Sequence, residues 1–252
     1  MEVLAAEAQA ARVNDMPSDI TAVIPAYQAA ATLDAVVRKT VPHLPVLVVD
    51  DGSTDETAQV AGAAGAEVLC QTPNQGKGAA LRAGFSRALD GGAEAIITLD
   101  ADGQHDPASI PAFLDAWHTQ HSPLIVGQRD FGLMPLSRRL ANELGTTVFS
   151  WAVGRHIPDN QSGFRLIASP LLPRLLDSGE AGFEFEVEMI TLAIRAGLEI
   201  DWVPIPTIYE DQGSHIRPIA HVTNFLRVAW AAHRSVRVPL DLDTDSSQPK
   251  RP

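Results

Sequence analysis

Short apolar runs alternate with amphipathic stretches along the first half of the chain. ITAVIP (20–25), VLVVD (46–50), EVLCQ (67–71) and AIITLD (95–100) are rich in β-branched residues and read as strands. Between them, residues 29–40, 54–64 and 76–90 read as helices, with Thr54 and Asp55 near the start of the second to cap it. Continuous apolar strands separated by helices predict an α/β chain with a mostly parallel central sheet covered on both faces. The second half is less regular. Residues 107–119, 136–153 and 180–196 read as helices and LIVGQR (124–129) as a strand. EIDWVPIPTIY (199–209) alternates and holds two prolines, which suits an edge strand. Residues 1–18 read as a flexible leader and 238–252 as a disordered tail, leaving one domain over 19–237.

Composition narrows the possibilities. The 252 residues are 45% hydrophobic, enough for a sizeable core, and a single cysteine excludes an intrachain disulfide framework or a Cys-rich zinc site. Nineteen basic against thirty-one acidic residues give a net charge of −12, which argues against nucleic acid as a partner. No run approaches the length of a transmembrane helix and the start lacks the pattern of a secretory signal, so a cytoplasmic protein is expected. A homo-oligomer stays open.

Parallel sheets bind ligands at the carboxyl ends of their strands. Here those ends carry Pro25, Asp50-Asp51-Gly52 and Asp100-Ala101-Asp102. Asp50-Asp51-Gly52-Ser53 reads either as carboxylates for a base or ribose, or as a turn leading into a helix cap. Asp100 and Asp102, two residues apart after a strand, would converge on a hard cation such as Mg²⁺ or Mn²⁺, with Gln104, His105 and Asp106 following. The alternative is a solvated acidic loop in which Asp106-Pro107 opens a helix. Asn74-Gln75-Gly76-Lys77-Gly78 is no Walker A loop, because Gln71 stands where its first glycine belongs. It reads as a loop near a nucleotide or as a plain strand-to-helix connection.

Five segments, VIPAYQAAATL, VVDDGSTDET, NQGKGAALRAGF, LDADGQHDP and DNQSGFRLI, together resemble the family 2 glycosyltransferases of the GT-A fold. The resemblance is to the dolichol-phosphate mannose synthase and polyprenyl-phosphate glycosyltransferase branch, and runs from about residue 20 to 235. It implies a Rossmann-like sheet and an inverting transfer from a nucleotide-diphosphate sugar, GDP-mannose or a UDP-sugar, to polyprenyl phosphate. A hydroxyl acceptor would need a carboxylate base that the motifs do not identify. Pro25, Ala26, Tyr27, Asp50, Asp51, Lys77, Asp100 and Ala101 would line the nucleotide site, with Asp51 facing the base or ribose. Asp100, Asp102 and Gln104 would hold Mg²⁺ or Mn²⁺, Asp102 directly. Arg129, Ser137, Arg138 and Arg165 would handle phosphate, joined by Arg139 and Asn142, and Arg217 would close over the diphosphate with His215 beside it.

The chain departs from many relatives at Asp159-Asn160-Gln161, ahead of Ser162. In GFEFEVEMI (182–190), Glu184, Glu186 and Glu188 have a strand's period, whereas the resemblance favours a helix start; one of them would line the acceptor side or all would be solvated. Residues 220–237 form a basic amphipathic stretch that would pack on the domain or lie on an anionic membrane, a peripheral contact at the inner face. Two other functions fit the same motifs. A sugar nucleotidyltransferase shares the nucleotide fold, but its Gly-rich basic start is missing after the first strand. A non-catalytic nucleotide-sugar-binding partner of a membrane enzyme would not need Asp100, Asp102 and Arg217.

Overall fold

The computed structural model describes residues 19–169, 171–179, 182, 184–208, 218–238 and 240, without the side chains of Ser137 and of 218–226. The leader, nearly all of the tail, His215 and Arg217 lie outside the described residues. The elements run β1 (Ile20–Ala26), α1 (Ala30–Thr40), β2 (Val46–Asp50), α2 (Thr57–Ala63), β3 (Glu67–Cys70), α3 (Lys77–Asp90) and β4 (Ala95–Thr98). After a short 3₁₀ turn they continue as α4 (Ile110–Gln120), β5 (Leu124–Arg129), α5 (Leu136–Val153), β6 (Arg165–Ala168), α6 (Leu171–Leu176), α7 (Glu184–Arg195), β7 (Ile200–Ile205) and α8 (Pro218–Ser235).

Seven strands form one sheet in the order β3-β2-β1-β4-β6-β5-β7. The parallel β1–β2, β1–β4, β2–β3 and β5–β7 pairs meet the expectation of a mostly parallel sheet, and β7 lies at the edge. β6 is the exception, a four-residue strand antiparallel to both β4 and β5. The apolar strands alternate between two cores. Val23, Leu47 and Val49 face α3, α5, α6 and α7, where Phe85, Phe149 and Phe185 fill the space. Ile24, Val46 and Val48 face Leu33 and Val37 of α1 and Phe113 of α4 on the other side. Burial on both faces is why these strands are continuously apolar. α3 crosses β1 closely because Gly84 has no side chain; a Cβ there would stand 2.4 Å from Val23 Cγ1.

α8 packs on the domain. Ala229 and Ala232 are buried, His233 Nδ1 lies 2.9 Å from the Ala152 carbonyl of α5, and the His233 ring stacks on Trp151. Among the described residues no helix is long and apolar enough to cross a membrane.

Candidate active site

The ends of β1, β2 and β4 bring the predicted segments to one edge of the sheet. Register sets Ala26 beside Asp50 and Asp50 beside Cys70, and Tyr27 follows β1 into solvent, 53% exposed. Asp50 is buried and its Oδ1 accepts the Ser53 N–H at 3.0 Å, so it shapes its own turn. Asp51 has a task within the fold. Its two oxygens accept the Gln75 and Gly76 N–H groups at 2.8 and 2.7 Å, and the residue is 3% exposed. It therefore pins the loop before α3. Gly52, at φ +78°, permits this close approach, since a Cβ would meet Asn74 N at 2.9 Å.

That pinned loop fixes Lys77, the first residue of α3. Its Nζ lies 2.5 Å from Asp100 Oδ1 and 2.6 Å from Glu186 Oε1. Burial alone would lower the lysine's pKa, but the two carboxylates outweigh it and raise the value. Burial likewise works against the Asp100 anion, yet the Lys77 charge overcomes it and brings the carboxyl to about 2. Asp100 lies flat across the backbone of Gly163, where a Cβ would come within 2.6 Å of its Oδ2. Thr98 Oγ1 donates to the Gly163 carbonyl at 2.7 Å and locks β4 to that loop.

Asp102 stands further out. Its Oδ1 accepts the Gln104 N–H at 3.0 Å, and Thr32 Oγ1 holds the loop through the Ala101 carbonyl at 2.7 Å. Burial first, and the neighbouring Asp100 charge second, raise the Asp102 carboxyl above its usual range. The Asp100 charge thus disfavours ionisation of Asp102, a conflict that a bound cation would relieve. Mg²⁺ typically takes one or two carboxylates and completes its shell with substrate phosphates and water. Asp100 and Asp102 are hard oxygen donors of that kind, and among the described residues no larger group of His, Cys, Asp or Glu converges. Asp106 meets the other expectation for this segment, as its carboxylate accepts the Ala108 N–H and opens the 3₁₀ turn.

His105 is buried beneath Asp100 and against Phe164. Its Nδ1 accepts the Asp100 N–H at 3.2 Å, which puts the ring proton on Nε2. Burial pushes the imidazole down to about 4 from 6.5, against the pull of Asp100. The unfolded chain thus takes up this proton at a higher pH than the folded one. The stabilisation from neutral His105 is complete above about pH 6.5 and declines as the pH falls towards 4. The melting temperature is expected to fall across that window, and less steeply in His105→Gln. Parallel slopes in the two proteins would contradict the assignment.

The arginines part company. Arg129 ends β5 as a half-buried side chain, with Nε and Nη2 on the fully buried Asp159 at 2.7 and 3.0 Å. Arg138 is exposed at the start of α5, and Arg139 pairs with Glu143 one turn on. Asn142 Nδ2 lies 3.0 Å from Met134 Sδ. Arg165 corrects the sequence expectation. It is fully buried, and its guanidinium donates to the carbonyls of Ser162, Asn160 and Glu186. It ties the 159–164 loop to α7 and has no exposed surface. Glu186 was only one of three candidates in the sequence, and its Oε1 accepts from Lys77 Nζ. The available signal was helical spacing, since Phe185, Glu186, Met189, Ile190 and Ala193 share the buried face of α7.

The sequence model described as glycosyl transferase family 2 matches residues 21–168. An undecaprenyl-phosphate mannosyltransferase of Micrococcus luteus is 32% identical, covering 77% of this chain and 85% of its own. A UDP-N-acetylglucosamine–dolichyl-phosphate N-acetylglucosaminyltransferase of Methanococcus voltae is 29% identical, covering 75% and 85%. Among solved structures, glucosyl-3-phosphoglycerate synthase of Mycobacterium tuberculosis, in complex with Mn²⁺, UDP-glucose and phosphoglyceric acid, superposes with a TM-score of 0.69. It is 20% identical and covers 92% of this chain and 84% of its own, a likeness of fold. With the family match spanning more than half of the chain and the motifs standing together at the sheet edge, this protein belongs to glycosyl transferase family 2.

Proposed function

We propose that this glycosyltransferase moves a sugar from a nucleotide-diphosphate sugar to a polyprenyl phosphate held at a membrane surface. The acceptor class is supported by the undecaprenyl-phosphate and dolichyl-phosphate named for two relatives. The observation that carries the reading is an apolar ridge on α5. Leu136, Leu140, Leu144 and Trp151 lie within one face of the helix, and Leu133 precedes them. All five are 56–72% exposed. The ridge begins directly beyond Arg129 at the carboxyl end of β5, so it leads outward from the rim of the site. Arg138 lies in the first turn of the helix, on the side away from the ridge. The donor is GDP-mannose or a UDP-sugar.

An acceptor phosphate is already an anion and needs no general base. The chain's task is to position it and to stabilise the departing nucleoside diphosphate. Arg129 and Arg138, with Ser137 on the same helix, are the candidates for the acceptor phosphate. Asp102, with Asp100 and Gln104 beside it, would hold Mg²⁺ or Mn²⁺. Such an ion, when bound, supplies Lewis-acid stabilisation of the diphosphate. Pro25, Ala26 and Tyr27 offer the wall of the nucleotide site, and Arg217 is the proposed cation over the diphosphate. Asp51 acts in this scheme by holding the Lys77 loop.

Leu140→Glu/Leu144→Glu tests the acceptor reading. Burying even one leucine in a lipid interface is worth about 1.5–3 kcal/mol. Transfer to a long-chain polyprenyl phosphate in anionic vesicles is therefore expected to drop by about tenfold or more. Transfer to a short, water-soluble polyprenyl phosphate should stay within about twofold. Equal loss on both acceptors, or none on vesicles, would count against the membrane-held lipid.

A further inference from the structure

We propose that Lys77 is a resident counter-ion shared by two carboxylates, and that Glu186 is the positioning residue that keeps it when a divalent cation engages the Asp100–Asp102 pair. The inference rests on the metal reading given above, and it concerns what the chain does with its own lysine.

Three elements make the arrangement. α3 supplies Lys77, the exit of β4 supplies Asp100, and α7 supplies Glu186. The ammonium sits 2.5 Å from one carboxylate and 2.6 Å from the other, and both side chains are largely enclosed. Without Lys77, Asp100, Asp102 and Glu186 would put three negative charges close together. With it, Asp100 is ionised and neutralised in advance. With a divalent cation held at Asp102 and Asp100, the pull of Asp100 on the ammonium would weaken, and a largely buried lysine then needs another anion within reach to stay compensated. Glu186 removes that difficulty, because the ammonium already touches it and only loosens its hold on Asp100.

The surroundings confine the change to the lysine side chain. Asp51 clamps Gln75 and Gly76 through two backbone hydrogen bonds, so the stem of Lys77 cannot retreat. Gly163 and Thr98 fix the bed on which Asp100 lies. Arg129 and Arg165 are also in the field of Asp100 and Glu186, but Arg129 is held bidentately by Asp159 and Arg165 is tied to the carbonyls of Ser162, Asn160 and Glu186, so neither is placed to replace the lysine. Glu186 itself is anchored in a helix whose buried face packs in the core. The site thus holds two cation arrangements, one with the lysine shared and one with it given over to Glu186.

The test follows the lysine directly. The chain has three lysines, Lys39, Lys77 and Lys250. In protein labelled at lysine, Lys39→Arg and Lys250→Arg assign the Lys77 signals by elimination without touching the site. Mg²⁺ is then titrated, alone and with GDP or UDP, while the Lys77 side-chain resonances are recorded. A saturable shift of the Lys77 signals is expected, with the slowly exchanging ammonium protons retained. In Glu186→Gln the same titration should need about ten times more Mg²⁺, and the ammonium protons should be lost to fast exchange once the ion binds. Lys77→Met separates this relay from the simple loss of a nearby charge. In that background Glu186→Gln should change Mg²⁺ affinity by less than about twofold, whereas a bystander carboxylate would matter as much or more.

Mg²⁺ binding that leaves the Lys77 signals unmoved overturns this proposal alone. So does an undiminished effect of Glu186→Gln beside Lys77→Met. No Mg²⁺-dependent change in any signal, with or without nucleotide, overturns the metal reading and this proposal together. If Lys77→Met does not fold, the resonance titration of the wild type and Glu186→Gln still decides.

Discussion

Asp102→Ala is expected to lower nucleotide release from the donor sugar by about 10³-fold, the scale found when a preorganised charge-stabilising group is removed. The fold should not notice. Asp102 is partly exposed, and burial together with Asp100 already disfavours its ionised form. Removing it relieves that conflict, so the melting temperature should hold or rise slightly. Asp102→Asn is expected to behave like the alanine variant, because the amide keeps the shape and loses the charge. Steady-state nucleotide release and a thermal melt of each variant check both halves. Activity within about tenfold of the wild type would remove Asp102 from the reaction. A large fall in melting temperature would make the loss a matter of folding.

Arg165→Met is expected to show the opposite profile, a loss of stability first. The guanidinium has no exposure and spans three backbone carbonyls, linking the 159–164 loop to α7. Charge-assisted hydrogen bonds of this kind are worth about 1.5–3 kcal/mol each. They are not additive, and methionine recovers some packing, so a loss of about 3–5 kcal/mol is expected. For a domain of this size that lowers the melting temperature by about 10 °C. Arg165→Lys should fail to rescue it, because a single ammonium cannot reach three carbonyls set in a fork. If Arg165 instead served a phosphate, the melt would be unchanged and lysine would restore part of the activity.

These two residues show what the chain made legible and what it did not. Strand and helix assignments followed from apolar continuity and helical spacing, and the strands from β1 to β5 stand within a few residues of where the pattern put them. β6 escaped because four residues, Arg165–Ala168, carry too short a period to separate from the motif around them. Its antiparallel direction depends on pairing between β4 and β5, which local sequence does not contain. The carboxylates and cations of the site were visible as residue types at strand exits, but their partners were not. Asp51 and Arg165 have the chemistry of ligand-binding groups, and both hydrogen-bond to backbone. Glu186 looked like one of three equivalent carboxylates until the buried face of α7 singled it out. A charged residue's role is decided by what packs around it, and that packing joins segments as far apart as Lys77 and Glu186.

The central claim is transfer to a lipid phosphate from a nucleotide-diphosphate sugar, and one measurement meets it directly. GDP-mannose, UDP-glucose and UDP-N-acetylglucosamine are each incubated with the protein and Mg²⁺ or Mn²⁺, with and without a short polyprenyl phosphate, and released nucleotide is quantified. The account predicts release from one of these donors that requires the metal and the acceptor, accompanied by a polyprenyl-linked sugar in equal amount. Release that ignores the polyprenyl phosphate, or saturable nucleotide binding with no turnover on any donor, would contradict it.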